Sequence, residues 1–202
     1  MKYVNQLDNP HIIFDDGKLP EDFKAKLPMG ILTAAHAACG PCSAIMVLDR
    51  LCADHSMDLQ QAINMAYECE ALSHPGTDMK IYGPYFAEKF NLELEMTNDP
   101  ERLRYCLRTG GAAIVHSGGD REGHIGVFTH GGHYIAAISE LRDGRIAILD
   151  PSQKDGKYEE EGRKGLVAFN YSEPHIVYCD MQVLVDDSAN RDPGFYLFWR
   201  KM

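Results

Sequence analysis

Cys39 stands in Ala-Ala-Cys39-Gly40-Pro41-Cys42-Ser43, directly ahead of the apolar run Ala44, Ile45, Met46, Val47, Leu48 and Leu51, so its thiol falls at the mouth of an expected helix. Pro41 suits the first helical position, and the open N–H groups of that turn favour a thiolate. A free thiol near pKa ~8.5 is only a few per cent ionised at neutral pH, and a helix end supplies roughly 0.3–1 kcal/mol, less than one pKa unit. A nucleophilic Cys39 therefore needs an imidazolium partner, and that imidazole needs a third group to hold it. His133 and Asp150 are the pair that the pattern offers. Gly131-Gly132-His133-Tyr134 opens one apolar, β-prone run and Asp150-Pro151 closes the next, so both side chains fall near one end of a ribbon.

The elements that must position them read as helices first and strands after. Residues 1–30 are irregular, broken by Asp15-Asp16-Gly17 and Leu19-Pro20. After the Cys39 helix, Ser56 can cap a second one carrying Leu59, Ala62, Ile63, Ala66 and Cys69 on one face. Pro84–Phe90 reads as a short helix. Asp99-Pro100 opens another, with Leu103, Cys106 and Leu107 inward and Gly110 stopping it. Ala112–His116 reads as a strand, followed by a Gly-rich loop over residues 117–123. His133–Leu141 and Arg145–Leu149 form a hairpin about Asp143-Gly144. Ile176–Val185 and Phe195–Arg200 are further strand candidates. The segregation predicts an α+β domain with helices on one side of an antiparallel sheet.

The chain has 202 residues, 45% of them hydrophobic, enough for one domain spanning 1–202 with a sizeable core. A formal net charge of −10 without clustered Lys and Arg argues against a nucleic-acid partner. The first ten residues lack the apolar core of a signal peptide and no stretch reaches membrane-spanning length, which predicts a cytoplasmic chain with no membrane partner. The six cysteines, at 39, 42, 52, 69, 106 and 179, are too sparse for a secreted disulfide scaffold. Cys52, Cys69 and Cys106 recur on apolar helix faces and read as core, and Cys179 as strand packing. Glu159-Glu160-Glu161 reads as a solvated patch.

Cys-Gly-Pro-x-Ser opening an apolar helix, Gly-His-Tyr opening a strand and Leu-Asp-Pro closing another resemble the papain-like cysteine peptidases of the bacteriocin-processing, double-glycine-leader type, and more closely their stand-alone, peptidase-like branch. Leu103–Val115 agrees with that family's helix, Gly-Gly and buried strand, and the likeness covers roughly residues 30–155. The resemblance implies a papain-like fold and a peptide-bond or related amide hydrolase acting on a peptide or protein through an acyl-enzyme. Cys39 would attack, His133 would pair with the thiolate and then protonate the leaving amine, and Asp150 would orient His133. No metal or cofactor is implied. The departure is Thr33, which stands six positions before Cys39 where the family has its oxyanion glutamine. Thr33 and His36 are the nearby stand-ins, and Gln6 or Asn9 of the N-terminal arm the distant ones. Loss of such a donor costs on the order of a hundredfold in rate, so a weakly active or purely peptide-binding, regulatory protein is the alternative.

Other chemistries share these residues. Cys39-Gly40-Pro41-Cys42 is also the tetrapeptide of thiol-disulfide oxidoreductases, although no buried strand or Trp precedes it here. A reversible Cys39–Cys42 disulfide would switch a nucleophile off. Cys39, Cys42, His130 and His133 have the two-residue gaps of a zinc site, but the pairs are far apart in sequence. His116, His124 and His130 are rival bases without a carboxylate on a paired strand, better suited to lining the cleft. Tyr82, Tyr85 and Phe86 offer either a peptide groove or core packing.

Overall fold

A computed structural model describes residues 1–15, 17–27, 30–73 and 75–201; Asp16, one of the expected breakers, lies outside them. The elements run α1 (Glu21–Lys24), α2 (Ala34–Ala37), α3 (Cys39–Leu51), α4 (Leu59–Glu68), β1 (Leu72–Ser73), β2 (Gly76–Thr77), α5 (Met79–Lys89), β3 (Leu92–Thr97), α6 (Pro100–Arg108), β4 (Ala112–Ser117), β5 (His133–Glu140), β6 (Ile146–Leu149), β7 (Val167–Phe169), β8 (Ile176–Cys179), α7 (Met181–Ser188) and β9 (Phe195–Arg200). Seven strands form one wholly antiparallel sheet in the order β3-β9-β4-β5-β6-β8-β7, and β1 pairs with β2 separately.

The mixed helix and antiparallel-sheet class matches the expected α+β composition, but the layering differs. The apolar residues of α3, α4 and α5 pack on one face of the sheet, against Ile114, Ala136, Leu149 and Phe198. Those of α6 and α7 pack on the other, against Val115, Ile135, Ile148 and Leu197. The strand sequences carry the reason, because 112–115, 134–138 and 146–149 are unbroken apolar runs, whereas a sheet covered on one side alternates.

Several boundaries also differ. The helix after Cys39 begins at Cys39 itself, so Pro41 occupies its third position, still within the turn whose N–H groups have no helical partner. α4 is capped by Asp58 in a reciprocal box with Gln61, not by Ser56. α5 starts five residues before Pro84, with the Asp78 side chain capping Lys80 N–H. The apolar run from Ile176 is two elements: it leaves the sheet after Cys179, and Val183 and Leu184 face the core from α7. β3 and β7 join the sheet edges where no strand was expected.

Tyr82 and Phe86 are fully buried, so the core reading holds for them, while Tyr85 is only partly buried and donates to Glu68. Cys52, Cys106 and Cys179 are buried, Cys69 is half-buried, and all six thiols are free. Glu160 of the acidic run meets Arg163 and His130. No helix among the described residues is long and apolar enough to cross a membrane.

Candidate active site

Helix α3 lies across β4 and β5, so its first turn ends at the edge where β5 begins and β6 ends. Gly40 permits this seat. A Cβ there would lie 3.1 Å from Thr77 Cβ and 3.2 Å from Met79 Cε, so the absent side chain lets the β1–β2 hairpin close over the helix start. Leu149 of β6 pairs with Ala136 of β5, and Asp150, one residue further, reaches back along the ribbon to His133 at the head of β5. His133 Nε2 lies 2.8 Å from Asp150 Oδ1, which leaves the other ring nitrogen for the Cys39 thiol, and Cys39 and His133 each shift the other's ionisation.

The electrostatics act in concert. Burial alone would push the Cys39 thiol up; the hydrogen bond and charge of His133, with backbone donors at Tyr134 and Gly40, reverse that and hold it below its ordinary value. Burial pulls the His133 imidazole down, but its hydrogen bond to Asp150, the Asp150 charge and the Cys39 thiol carry it above the usual histidine value. Asp150 is fully buried, which disfavours its charge, yet Lys157 and His133 keep its carboxyl far below the ordinary carboxylate range.

Asp150 is more heavily held than an orienting carboxylate requires. Oδ1 accepts from His133, from Ser152 N–H at 2.9 Å and from Ser152 Oγ at 3.1 Å. Oδ2 accepts from Lys157 Nζ and from Tyr158 Oη, each at 2.5 Å. Ser152 Oγ also stands 3.0 Å from His133 Nε2. The N-terminal segment straps this corner: Tyr3 Oη donates to Asp150 O, Gln6 N–H to Pro151 O, and Asn5 Nδ2 to Gln153 O, all within 2.8 Å. Sequence reasoning missed Lys157 and Tyr158, which lie on an irregular segment without periodicity. Ser152 carried a signal, since Asp-x-Ser is an Asx-turn pattern.

A cleft of about 470 Å³ opens over Cys39 and His133. His36 lines it, and its ring shares a 3.0 Å hydrogen bond with Thr33 Oγ1; Thr33 precedes α2 outside the lining. Gln6 lines it too, buried, with Nε2 donating to Ala35 O at 3.0 Å and Oε1 without a partner. Asn9 is occupied with Asn5 O. Cys42 is fully buried one turn below Cys39, and burial, then the charge of Cys39, raises its thiol well above the ordinary value.

Of the rival histidines, only His116 faces the cleft, stacked 4.3 Å from the Tyr134 ring and driven down to about 3 by burial and then by the charge of Arg191. His124 is bound to Asp187 of α7 at 2.8 Å. His130 bridges Asp120 and Glu160, each at 2.8 Å, which turns it away from the zinc set with Cys39, Cys42 and His133. Among the described residues no group of three or more His, Cys, Asp or Glu is arranged to hold a metal.

No protein-family model matches the chain, and no curated protein does. Among solved structures it is similar to the peptidase domain of Streptococcus ComA, a bi-functional ABC transporter involved in a quorum-sensing pathway. The identity is 13% and the TM-score 0.48, over 81% of this chain and 91% of that one.

Proposed function

We propose that the protein is a thiol-dependent amide hydrolase of papain-like type, with Cys39 as nucleophile, His133 as base and acid, and Asp150 as the group that orients His133. The observation that supports this reading is the buried His133–Asp150 pair sharing one cleft with Cys39, whose thiol pKa it lowers, brought together from three elements whose residues are far apart in sequence. A thiolate–imidazolium pair attacks a carbonyl without a prior proton transfer; His133 then gives its proton to the leaving amine, and water releases the acid. Backbone N–H groups at the start of α3 face the developing oxyanion. In the position that Thr33 does not fill, Gln6 is the side-chain donor, because one Nε2 hydrogen holds Ala35 O and the second is uncommitted beside the cleft.

The test is the pH dependence of Cys39 alkylation by iodoacetamide, mapped by peptide mass analysis. In the native chain Cys39 should react well below the pH at which an ordinary thiol does, and His133→Ala should move that limb to the alkaline side. An unchanged profile in His133→Ala would overturn the reading. Release of amine from peptide substrates, abolished in Cys39→Ala, then separates a hydrolase from a peptide-binding protein of the same fold.

A further inference from the structure

The chain as a whole is strongly acidic, at −10, yet none of the described residues lining the cleft is a carboxylate. Its wall instead carries Arg191, placed after α7 by a 2.8 Å bond from its own N–H to Ser188 O. Arg102, Arg104, Arg108, Arg145, Arg163 and Arg200 are each paired with a carboxylate. Arg191 forms no ion pair among the described residues. Its Nη2 donates to Gly118 O at a long 3.3 Å, and its Nε is buried without a partner.

The guanidinium lies against Gly132, the residue before His133: a Cβ on Gly132 would stand 3.1 Å from Nη2. Next to it, His116 stays neutral, held there by burial and by the Arg191 charge, so Arg191 is the permanent cation on this wall. A planar guanidinium that forms no ion pair among the described residues and shares its cleft with Cys39 is a receptor for a carboxylate, which it can meet with two parallel N–H donors.

Building on the hydrolase reading, we infer that Arg191 is a specificity-determining residue that selects substrates carrying a carboxylate within about two residues of the bond attacked at Cys39. The carboxylate is either an Asp or Glu side chain or the free terminus of a peptide. Its recognition by Arg191 fixes the peptide in the cleft and excludes chains that place a Lys or Arg there.

The experiment needs no knowledge of the natural substrate. The full chain is alkylated with iodoacetate and with iodoacetamide at neutral pH, modification at Cys39 is located by mass mapping, and the ratio of the two rates is read within each protein. In Arg191→Gln the iodoacetate to iodoacetamide ratio should fall about tenfold, while Arg191→Lys should keep it within about threefold of the native value. Equal ratios in the native protein and Arg191→Gln would overturn the inference. An iodoacetamide rate at Cys39 that is the same in native protein and His133→Ala would instead strike at the triad.

Should Arg191→Gln not fold, protection of native Cys39 by blocked dipeptides decides. N-acetyl-Gly-Glu-amide and N-acetyl-Gly-Gly free acid represent the side-chain and terminal carboxylates, and stronger protection by either than by N-acetyl-Gly-Gln-amide supports the assignment. Equal protection by all three overturns it.

Discussion

Lys157 and His133 take opposite oxygens of one carboxylate: Nζ stands 2.5 Å from Asp150 Oδ2, and Nε2 stands 2.8 Å from Oδ1. All three side chains are buried. Asp150 is thus neutralised from behind by an ammonium while it steers the imidazole in front. Removing the ammonium strands a charge in a dry site. Lys157→Met should therefore cost about 3–5 kcal/mol, read as a shift of the urea midpoint, whereas Lys157→Met combined with Asp150→Asn should recover part of that loss. A single variant as stable as the native chain would contradict the buried pair.

The same pairing fixes the sign of the acid limb of stability. The Asp150 carboxyl titrates lower in the folded chain than the ~3.9 of an unfolded aspartate, so its contribution is fully present above about pH 4 and is lost as pH falls further. His133 works in the other direction. Raised above the unfolded value of ~6.5, it stabilises fully below that pH and loses its contribution as pH climbs through its folded value. Urea titrations across pH should show an acid limb that flattens in Asp150→Asn and an alkaline limb that flattens in His133→Gln.

Two histidine–carboxylate pairs whose histidines lie just after the Gly-rich loop should differ sharply in importance. Asp187 is fully buried and accepts from Ser117 Oγ at 2.7 Å, Val127 N–H at 2.9 Å and Phe128 N–H at 3.0 Å, besides meeting His124. Asp187→Ala leaves those donors unsatisfied and should destabilise the chain by about 3 kcal/mol or more. His130 and Asp120 are exposed and Glu160 is half-buried, and His130→Ala should leave the denaturation midpoint where it was.

Gly119 should tolerate nothing larger. Its φ is +76°, and a Cβ there would lie 2.1 Å from Gly131 O, a backbone atom that cannot swing aside. Gly131 is two residues before His133, so Gly119→Ala should lower both the melting temperature and the rate of Cys39 alkylation. A change in stability alone would show that the loop and the imidazole are uncoupled.

Cys39 and Cys42 should behave as unlike thiols. Cys39 borders the cleft and Cys42 is buried, its thiol raised by that burial. In the native chain iodoacetamide should modify position 39 and spare 42, and both should label once the chain is unfolded in urea. Labelling of both in the folded protein would favour a redox pair.

The residues of the thiol, imidazole and carboxylate were legible because each sits at the boundary of a strongly patterned element: Cys39 before an apolar run, His133 and Asp150 at the ends of a hairpin that Asp143-Gly144 announces. What the pattern leaves open is everything that arrives from irregular chain. Lys157, Tyr158 and Arg191 lie on segments without periodicity, so no spacing relates them to the cleft. The pairing of His124 with Asp187 depends on α7, which reads as a continuation of β8 because Val183, Leu184 and Val185 are as apolar as a strand. The two-sided layering was present in the sequence all along. Continuous apolar strands such as Ala112–Val115 demand cover on both faces, and α6 and α7 provide the second cover.

The strap formed by residues 3–6 reaches positions 150–153, so its bonds close loops of nearly 150 residues. Contacts of such long separation form late. During synthesis the helix bearing Cys39 emerges long before the hairpin that supplies its imidazole, and the thiol of a nascent chain is without a base. On the proposed reading, reactivity at Cys39 therefore arises only once the 133–150 hairpin is made and the corner has closed, so that an unfinished copy carries no armed sulfur.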